Sequence, residues 1–195
     1  MGRWLVVTVV MITGVLSVSP AAADRGRLKD ANDSPGILDI RKIAHRHRQG
    51  GRLTHTVRTY EAWRVRELPR NNENYISFYM DDGTAKTKSD RFVWVRRSRN
   101  NRLRARLYRP LTHPNGEFLG AVRVWRPDRR SVRISLRTTQ LGKAMADGYR
   151  WRVTSSFESA KSEGCPKDNT ASSFPAGNCI DNTPRLRRSG LRHDL

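Results

Sequence analysis

A strict alternation of arginine with apolar residues runs through Arg102-Leu103-Arg104-Ala105-Arg106-Leu107. Successive side chains of a β-strand point to opposite faces, so this hexapeptide predicts a strand with one apolar face and one arginine face. The same two-residue period appears in Val122-Arg123-Val124, in Val132-Arg133-Ile134 and in Arg150-Trp151-Arg152-Val153. We expect the apolar faces to form a core and the arginines to stand on the outside.

Short runs of this kind recur along the chain, separated by Gly, Asn, Asp and Pro residues that favour turns. They predict eight strands, at 37–46, 53–60, 75–80, 90–97, 102–108, 118–125, 131–137 and 149–155. Short helices are predicted over 61–68 and 139–146. Eight short antiparallel strands in one domain predict an all-β fold in which two packed sheets form a jelly-roll-like β-sandwich.

The first 23 residues have the pattern of a secretory signal peptide. Arg3 precedes an apolar run over 5–18, and Ala21-Ala22-Ala23 supplies the small residues that a signal peptidase reads. We therefore expect export to the extracellular space or the cell envelope, with an uncleaved membrane anchor as the alternative. Residues 24–35 are polar and predict a flexible segment before a single β-sandwich domain over 36–195.

Cys165 and Cys179 are the two cysteines of the chain. In an exported protein such a pair predicts a disulfide, here one that closes a C-terminal loop. The chain-entropy model gives a loop of about 15 residues roughly 3 kcal/mol of stabilisation. A zinc site is the weaker interpretation, because no histidine lies near the two cysteines in sequence.

The basic residues outnumber the acidic ones, with 38 Lys and Arg against 18 Asp and Glu and a formal net charge of +20. This excess favours an anionic cell-wall polymer or acidic polysaccharide as partner, whereas export argues against nucleic acid as the physiological one. A GC-rich genome explains the preference for Arg over Lys but not the excess of basic residues. An arginine-rich outer face that only keeps the protein soluble is the alternative. The candidate polyanion-binding residues are Arg102, Arg104, Arg106, Arg123 and Arg133.

Two groups of residues suggest metal binding. Asp81, Asp82 and Asp90 surround one predicted turn and offer oxygen ligands of the kind that calcium prefers, although Asp-Gly is also ordinary turn chemistry. No other cofactor is predicted. His45 and His47 share one strand face; a three-residue loop before the next strand would place His55 opposite His45, and a two-residue turn would point it away.

Motifs for catalysis are missing from the sequence: it has no Gly-x-Ser-x-Gly elbow, His-Glu-x-x-His helix or phosphate-binding Gly loop. The prediction is a non-catalytic protein. A hydrolase with an unrecognised site, built from acids such as Glu61, Glu67, Glu73, Asp90 and Glu117, is the alternative. Trp63 and Trp125 lie at strand or loop ends and are the candidates for stacking on sugar rings.

Several segments have a recognisable layout. They are Gly36-Ile37-Leu38-Asp39-Ile40, residues 53–63, Met80-Asp81-Asp82-Gly83, residues 125–132, Tyr149-x-Trp151 and the tail from Cys165 through Cys179 to Pro184. This layout resembles that of uncharacterised exported β-sandwich proteins of high-GC bacteria. More distantly, the order of elements is similar to that of family 9 carbohydrate-binding modules and DOMON-type sandwiches. That similarity implies a non-catalytic, sugar-binding β-sandwich and assigns no site residues.

Overall fold

The computed structural model describes residues 25–34, 36–48, 50–68, 75–83, 90–110, 116–145, 147–158, 178–183 and 191–193. Within these ranges one four-residue helix, α1, spans Thr138–Leu141, and 3-10 turns span Val65–Glu67 and Lys143–Met145. No helix in this part of the chain is long and apolar enough to cross a membrane. The strands are β1 (Arg25–Lys29), β2 (Ile40–Arg48), β3 (Arg52–Thr59), β4 (Tyr75–Asp81), β5 (Arg91–Arg97), β6 (Leu103–Arg109), β7 (Glu117–Trp125), β8 (Ser131–Arg137), β9 (Tyr149–Glu158), β10 (Asn178–Thr183) and β11 (Leu191–His193).

The described strands form one 11-stranded sheet in the order β1-β2-β3-β8-β7-β6-β5-β4-β9-β10, and β11 pairs with β9. All of the strand pairs are antiparallel. The predicted antiparallel all-β class is therefore confirmed. An eight-stranded sandwich of two separate sheets is not confirmed, because β7 pairs with β6 and its last three residues, Arg123 to Trp125, pair with β8. This strand joins the two halves into one curled sheet.

The core lies inside the curl of this sheet. The sheet bends far enough for β2 to approach β9 and β10 from the other side. The Ile40 amide donates to Asp181 Oδ2 at 2.6 Å, and Ser155 Oγ donates to the Leu38 carbonyl at 2.7 Å. Burying each large apolar side chain contributes about 1.5–3 kcal/mol, so this shared interior holds the two halves together. Its main residues are Ile43, Leu53, Val57, Ile76, Phe78, Met80, Val93, Val95, Leu107, Val132, Ile134, Leu136, Trp151 and Val153.

Part of the predicted flexible segment over 24–35 is a strand, so that prediction is wrong for β1. Arg25–Lys29 pairs with the edge of β2, with Gly26 opposite His45. The strand is held by backbone pairing with β2, the next strand along the chain, and Leu28 is the one large apolar side chain in its short basic sequence. Beyond it, the Tyr60 hydroxyl donates to the Asp30 carbonyl at 2.6 Å.

The β2–β3 hairpin has the register in which His45 lies opposite His55. Both side chains are buried and both hydrogen-bond to β9: Trp151 Nε1 donates to His45 Nδ1 at 2.8 Å, and the Tyr149 hydroxyl lies 2.8 Å from His55 Nε2. Of the two alternatives for this turn, the structure has the three-residue one. Within the described residues, the histidines do not gather into a cluster of three metal ligands.

Other predictions fall partly or wholly on residues that the structure does not describe. The signal peptide over 1–23 and Cys165 lie outside the described residues. Cys179 is placed by its backbone in β10, opposite Phe157. Export and the Cys165–Cys179 disulfide therefore stay predictions.

Candidate binding surface on the outer sheet face

Aromatic side chains form a continuous row across four neighbouring strands on the outer face of the sheet. Antiparallel register places Tyr79 beside Phe92, Phe92 beside Tyr108, and Tyr108 beside Phe118. The ring centroids are 6.0, 5.2 and 5.8 Å apart in that order. Neighbouring strands lie about 4.8 Å apart, so this aromatic row is roughly 14 Å long. Trp94 packs beside it, 5.1 Å from Phe92 and 5.3 Å from Tyr108.

The row is partly covered and partly exposed. Phe118 is 53% exposed, whereas Phe92 is 7% exposed and lies beneath its neighbours. An exposed aromatic ring beside others on a sheet face is a surface on which flat or ring-shaped groups can stack. The exposed end of the aromatic row is therefore at β7.

Arginines cover the aromatic row and its border. The guanidinium carbon of Arg152 lies 4.5 Å from the centre of the Tyr79 ring, and that of Arg106 lies 5.2 Å from the centre of Phe118. Arg96 lies closer still, 3.9 Å from the Trp94 ring. Such cation–π contacts contribute about 0.5–1 kcal/mol each at exposed sites and hold positive charge against the rings.

A second row, of arginines, runs beside the aromatic one. Arg96 on β5 is paired with Arg104 on β6. Ala105 on β6 pairs with Val122 on β7, and these two residues are the chain neighbours of Arg104 and Arg123. This arginine row (Arg96, Arg104 and Arg123) and Arg106 share the outer face with the aromatic row. The surface thus combines stacking groups with cations that can bind carboxylate or phosphate through two hydrogen bonds.

The structure brings four of the five predicted arginines onto three adjacent strands. Arg104 and Arg106 lie on β6, Arg123 on β7 and Arg133 on β8, and these strands are neighbours in the sheet. Arg102 is exposed in the turn that precedes β6, where its carbonyl accepts from the Ser98 amide at 2.8 Å. These arginines form one basic surface because β6, β7 and β8 are neighbours in the sheet. The sequence alone could not supply this strand order.

The two tryptophans predicted to stack on sugars have different positions. Trp125 is half-buried on the outer face, with the guanidinium of Arg123 at 5.2 Å and that of Arg133 at 5.7 Å from its ring centre. It therefore extends the candidate surface toward β8. Arg133 is oriented there by its hydrogen bond from Nε to Thr56 Oγ1, 3.0 Å long.

Trp63 is not exposed, and its prediction as a sugar platform is wrong. It retains 2% of its exposure, and Arg126 lies over its ring at 4.0 Å. The segment after β3 folds back along the start of β8, where the Trp63 amide donates to the Arg129 carbonyl at 3.1 Å. That long-range pairing turns the ring into the core. The sequence signal that would have located the exposed aromatics is the alternation within β4 to β7.

Asp81, Asp82 and Asp90 come together as their predicted turn requires, with one oxygen of each within 4.8 Å of the others. The carboxylates already serve the turn: Asp90 Oδ2 accepts from the Asp82 amide at 2.8 Å, and Asp81 Oδ1 accepts from the Gly83 amide at 2.6 Å. Partial burial, followed by the charges of Asp82 and Asp81, raises the pKa of Asp90. Calcium binding at this turn stays a prediction.

A second acidic cluster was not predicted. Asp33 and Asp39 precede β2, and Asp181 lies on β10. The three carboxylates meet where β10 approaches β2 as the sheet curls, a place called the seam below. Burial, followed by the charge of Asp33, raises the pKa of Asp39 to about 7. Burial also raises the pKa of Asp181 to about 8, against the lowering effect of the Ile40 amide.

The acids proposed for hydrolysis have local roles where the structure describes them. Glu67 accepts from the Arg64 amide at 2.5 Å and caps a 3-10 turn. Glu117 forms an exposed salt bridge with Arg109 at 3.0 Å, where β6 ends and β7 begins. Glu73 lies outside the described residues. These contacts give no support to a hydrolytic pair made of Glu67 and Glu117.

Comparison of the chain with protein-family models, with curated proteins and with solved structures finds no match. The resemblance to exported β-sandwich proteins and to carbohydrate-binding modules therefore stays a prediction.

Proposed function

We propose that the protein is a non-catalytic binding protein of the extracellular space or cell envelope, and that its outer sheet face binds an anionic polysaccharide or a similar anionic cell-wall polymer. The observation that carries the proposal is the aromatic row lying beside the arginine row on strands β5 to β7. Rings stack on the apolar faces of sugars, and guanidinium groups bind their carboxylates or phosphates.

The dimensions of the surface favour a polymer over a single sugar. From Arg152 on β9 to Phe118 on β7 there are four strand-to-strand steps, roughly 19 Å in all. The surface is open and runs across the strands, as suits a long chain lying on it. The proposal includes two further expectations. The curled sheet corresponds to the two packed sheets of carbohydrate-binding sandwiches, and the chain is exported.

The test compares two triple variants that lose the same positive charge. Arg104→Gln/Arg106→Gln/Arg123→Gln removes the cations of the binding surface, which are all exposed. Arg48→Gln/Arg52→Gln/Arg129→Gln removes three exposed arginines elsewhere. Exposed arginines add little to stability, so both variants should fold. We expect the first variant to bind polygalacturonate at least about tenfold more weakly at low salt, and the matched control to lose less than about threefold.

The contribution of stacking is measured with Phe118→Ala, because this ring is half exposed and its loss should hardly change stability. Charge attraction is screened at high salt, and ring stacking is not. Phe118→Ala should therefore weaken binding to polygalacturonate most visibly at high salt and leave binding to inorganic polyphosphate unchanged. Equal loss in both triple variants, or an unchanged affinity of Phe118→Ala, would contradict the proposed surface.

A basic protein that associates with any polyanion, without sugar specificity, is the second candidate. The basic residues continue around the outer face, where Arg25 pairs with Arg46 and Arg52 pairs with Arg137. In that case polyphosphate and polygalacturonate should bind alike, and the affinity should follow the net charge of the variant.

A further inference from the structure

Three carboxylates converge where the first and last parts of the described sheet meet. Asp33 and Asp39 lie between β1 and β2, and Asp181 lies on β10. One carboxylate oxygen of each residue lies within 4.8 Å of those of the other two. Asp39 and Asp181 are 1% and 2% exposed, so two of the three side chains are almost completely removed from solvent.

Asp39 provides an independent observation that points to a ligand. In the part of the chain that the structure describes, neither of its carboxylate oxygens accepts a hydrogen bond of normal geometry, and the polar groups that influence it are the Ser34 backbone and the Asp181 carboxyl. Buried polar groups in folded proteins are nearly always satisfied, and leaving a carboxylate both buried and unsatisfied is costly. Its side chain faces two further carboxylates, which would increase that cost unless a proton or a metal cation lay between them.

The separation of the oxygens suits a hard cation. Two oxygens that bind one Ca²⁺ ion at about 2.4 Å lie at most about 4.8 Å apart. Asp33, Asp39 and Asp181 meet this limit pairwise. Ca²⁺ accepts carboxylates at irregular angles and completes its shell with backbone carbonyls and water, which suits ligands drawn from a loop and a distant strand.

We propose that Asp33, Asp39 and Asp181 bind a divalent hard cation of the Ca²⁺ class, which ties β10 to the loop between β1 and β2. The neighbouring contacts already shape this site. Asp181 Oδ2 accepts from the Ile40 amide at 2.6 Å, and Thr183 Oγ1 donates to Asp30 on the other side of the seam. The cation replaces repulsion among the carboxylates with attraction at the place where the curled sheet closes.

The site differs from the acidic turn at Asp81, Asp82 and Asp90. Those three residues are half-buried, and two of their carboxylates accept hydrogen bonds from turn amides. Asp39, by contrast, accepts no hydrogen bond of normal geometry among the described residues, although the Ser34 backbone lies near it. The acidic turn has the same number of carboxylates as the seam site and the same kind of ligand atoms. A substitution in the turn is therefore a matched control for substitutions in the seam site.

The test uses the full chain, stripped with EDTA and then titrated with CaCl₂ by calorimetry, with thermal unfolding measured in parallel. Ligand binding to the folded state alone raises the melting temperature. We expect Ca²⁺ to bind the parent protein and raise its melting temperature. Asp39→Asn and Asp181→Asn should each weaken Ca²⁺ binding at least tenfold, and Asp90→Asn should leave it unchanged.

The melting temperature in EDTA, without Ca²⁺, also distinguishes the variants from the parent. Because Asp39→Asn removes a negative charge from a repelling group, it should melt at or above the parent's temperature in EDTA, and Ca²⁺ should no longer raise it. Asp33→Asn, at a half-buried position, is the second variant should Asp39→Asn fail to fold. The proposal is overturned if Ca²⁺ leaves the parent's melting temperature unchanged, if the seam variants bind Ca²⁺ as the parent does, or if Asp90→Asn alone abolishes binding.

Discussion

Replacing Trp151 by alanine is expected to lower the free energy of unfolding by about 3–5 kcal/mol, the usual range for a buried tryptophan. Trp151 is 1% exposed and lies at the contact between β9 and the β2–β3 hairpin. Its ring centre is 4.6 Å from that of His55, and it stacks on Phe78 at 6.3 Å. Truncation would leave a cavity between the two halves of the sheet, where both would lose contacts at once.

The hydrogen bond of Trp151 can be separated from its volume. Trp151→Phe keeps an aromatic ring in place but removes the Nε1 donor that reaches His45 Nδ1 at 2.8 Å. We expect this variant to lose about 1–3 kcal/mol, because a buried polar atom loses its donor. Urea unfolding at constant pH measures both variants, and Phe118→Ala on the outer face, within about 0.5 kcal/mol of the parent, is the control. A loss below 1 kcal/mol for Trp151→Ala would contradict the role given to this contact.

Replacing Gly26 by alanine is expected to lower the free energy of unfolding by about 1–3 kcal/mol, although alanine ordinarily suits a strand better than glycine. A Cβ at this position would lie 2.8 Å from His45 Nε2, 3.2 Å from Nδ1 and closer still to Cε1. The His45 ring cannot easily move, because its Nδ1 accepts the hydrogen bond of Trp151. The clash would therefore push β1 away from the edge of β2.

Removing the ring should remove the penalty. In a His45→Ala background, Gly26→Ala meets no imidazole and should be neutral or slightly stabilising, so the two substitutions should be strongly non-additive in a double-mutant cycle. Arg27→Ala, exposed on the same strand, should stay within about 0.5 kcal/mol of the parent. Additive effects of Gly26→Ala and His45→Ala would show that the imidazole is not what excludes a side chain at position 26.

Local pattern was enough to locate most of the sheet. The run predicted at 131–137 coincides with β8, and that at 102–108 differs from β6 by one residue at each end. Alternating hydrophobicity predicts these strands because each strand buries one face and exposes the other, so that apolar and polar residues alternate along its sequence. β1 was missed because Arg25–Lys29 is only five residues long and its alternation contains one large apolar side chain, Leu28, so that its conformation depends on pairing with β2.

The position of the histidines depended on one residue of register. Pairing of His45 with His55, instead of with Thr56, follows from the three residues between β2 and β3. A hairpin of either length fits the local sequence, and packing against Trp151 and Tyr149 of β9 distinguishes them in the structure. Those partners lie some hundred residues further along the chain, beyond the reach of any local pattern.

The sequence by itself determined the antiparallel all-β class, the face of each strand on which the arginines lie, and the excess of positive charge. Only the tertiary structure decided which strands are neighbours, and so which side chains share a surface. Strand order set Arg106 of β6 against the Phe118 ring of β7, and closure of the curled sheet brought Asp181 to Asp39. The physical reason is that alternation is a property of a single strand, whereas adjacency comes from long-range pairing and from burial of a shared core.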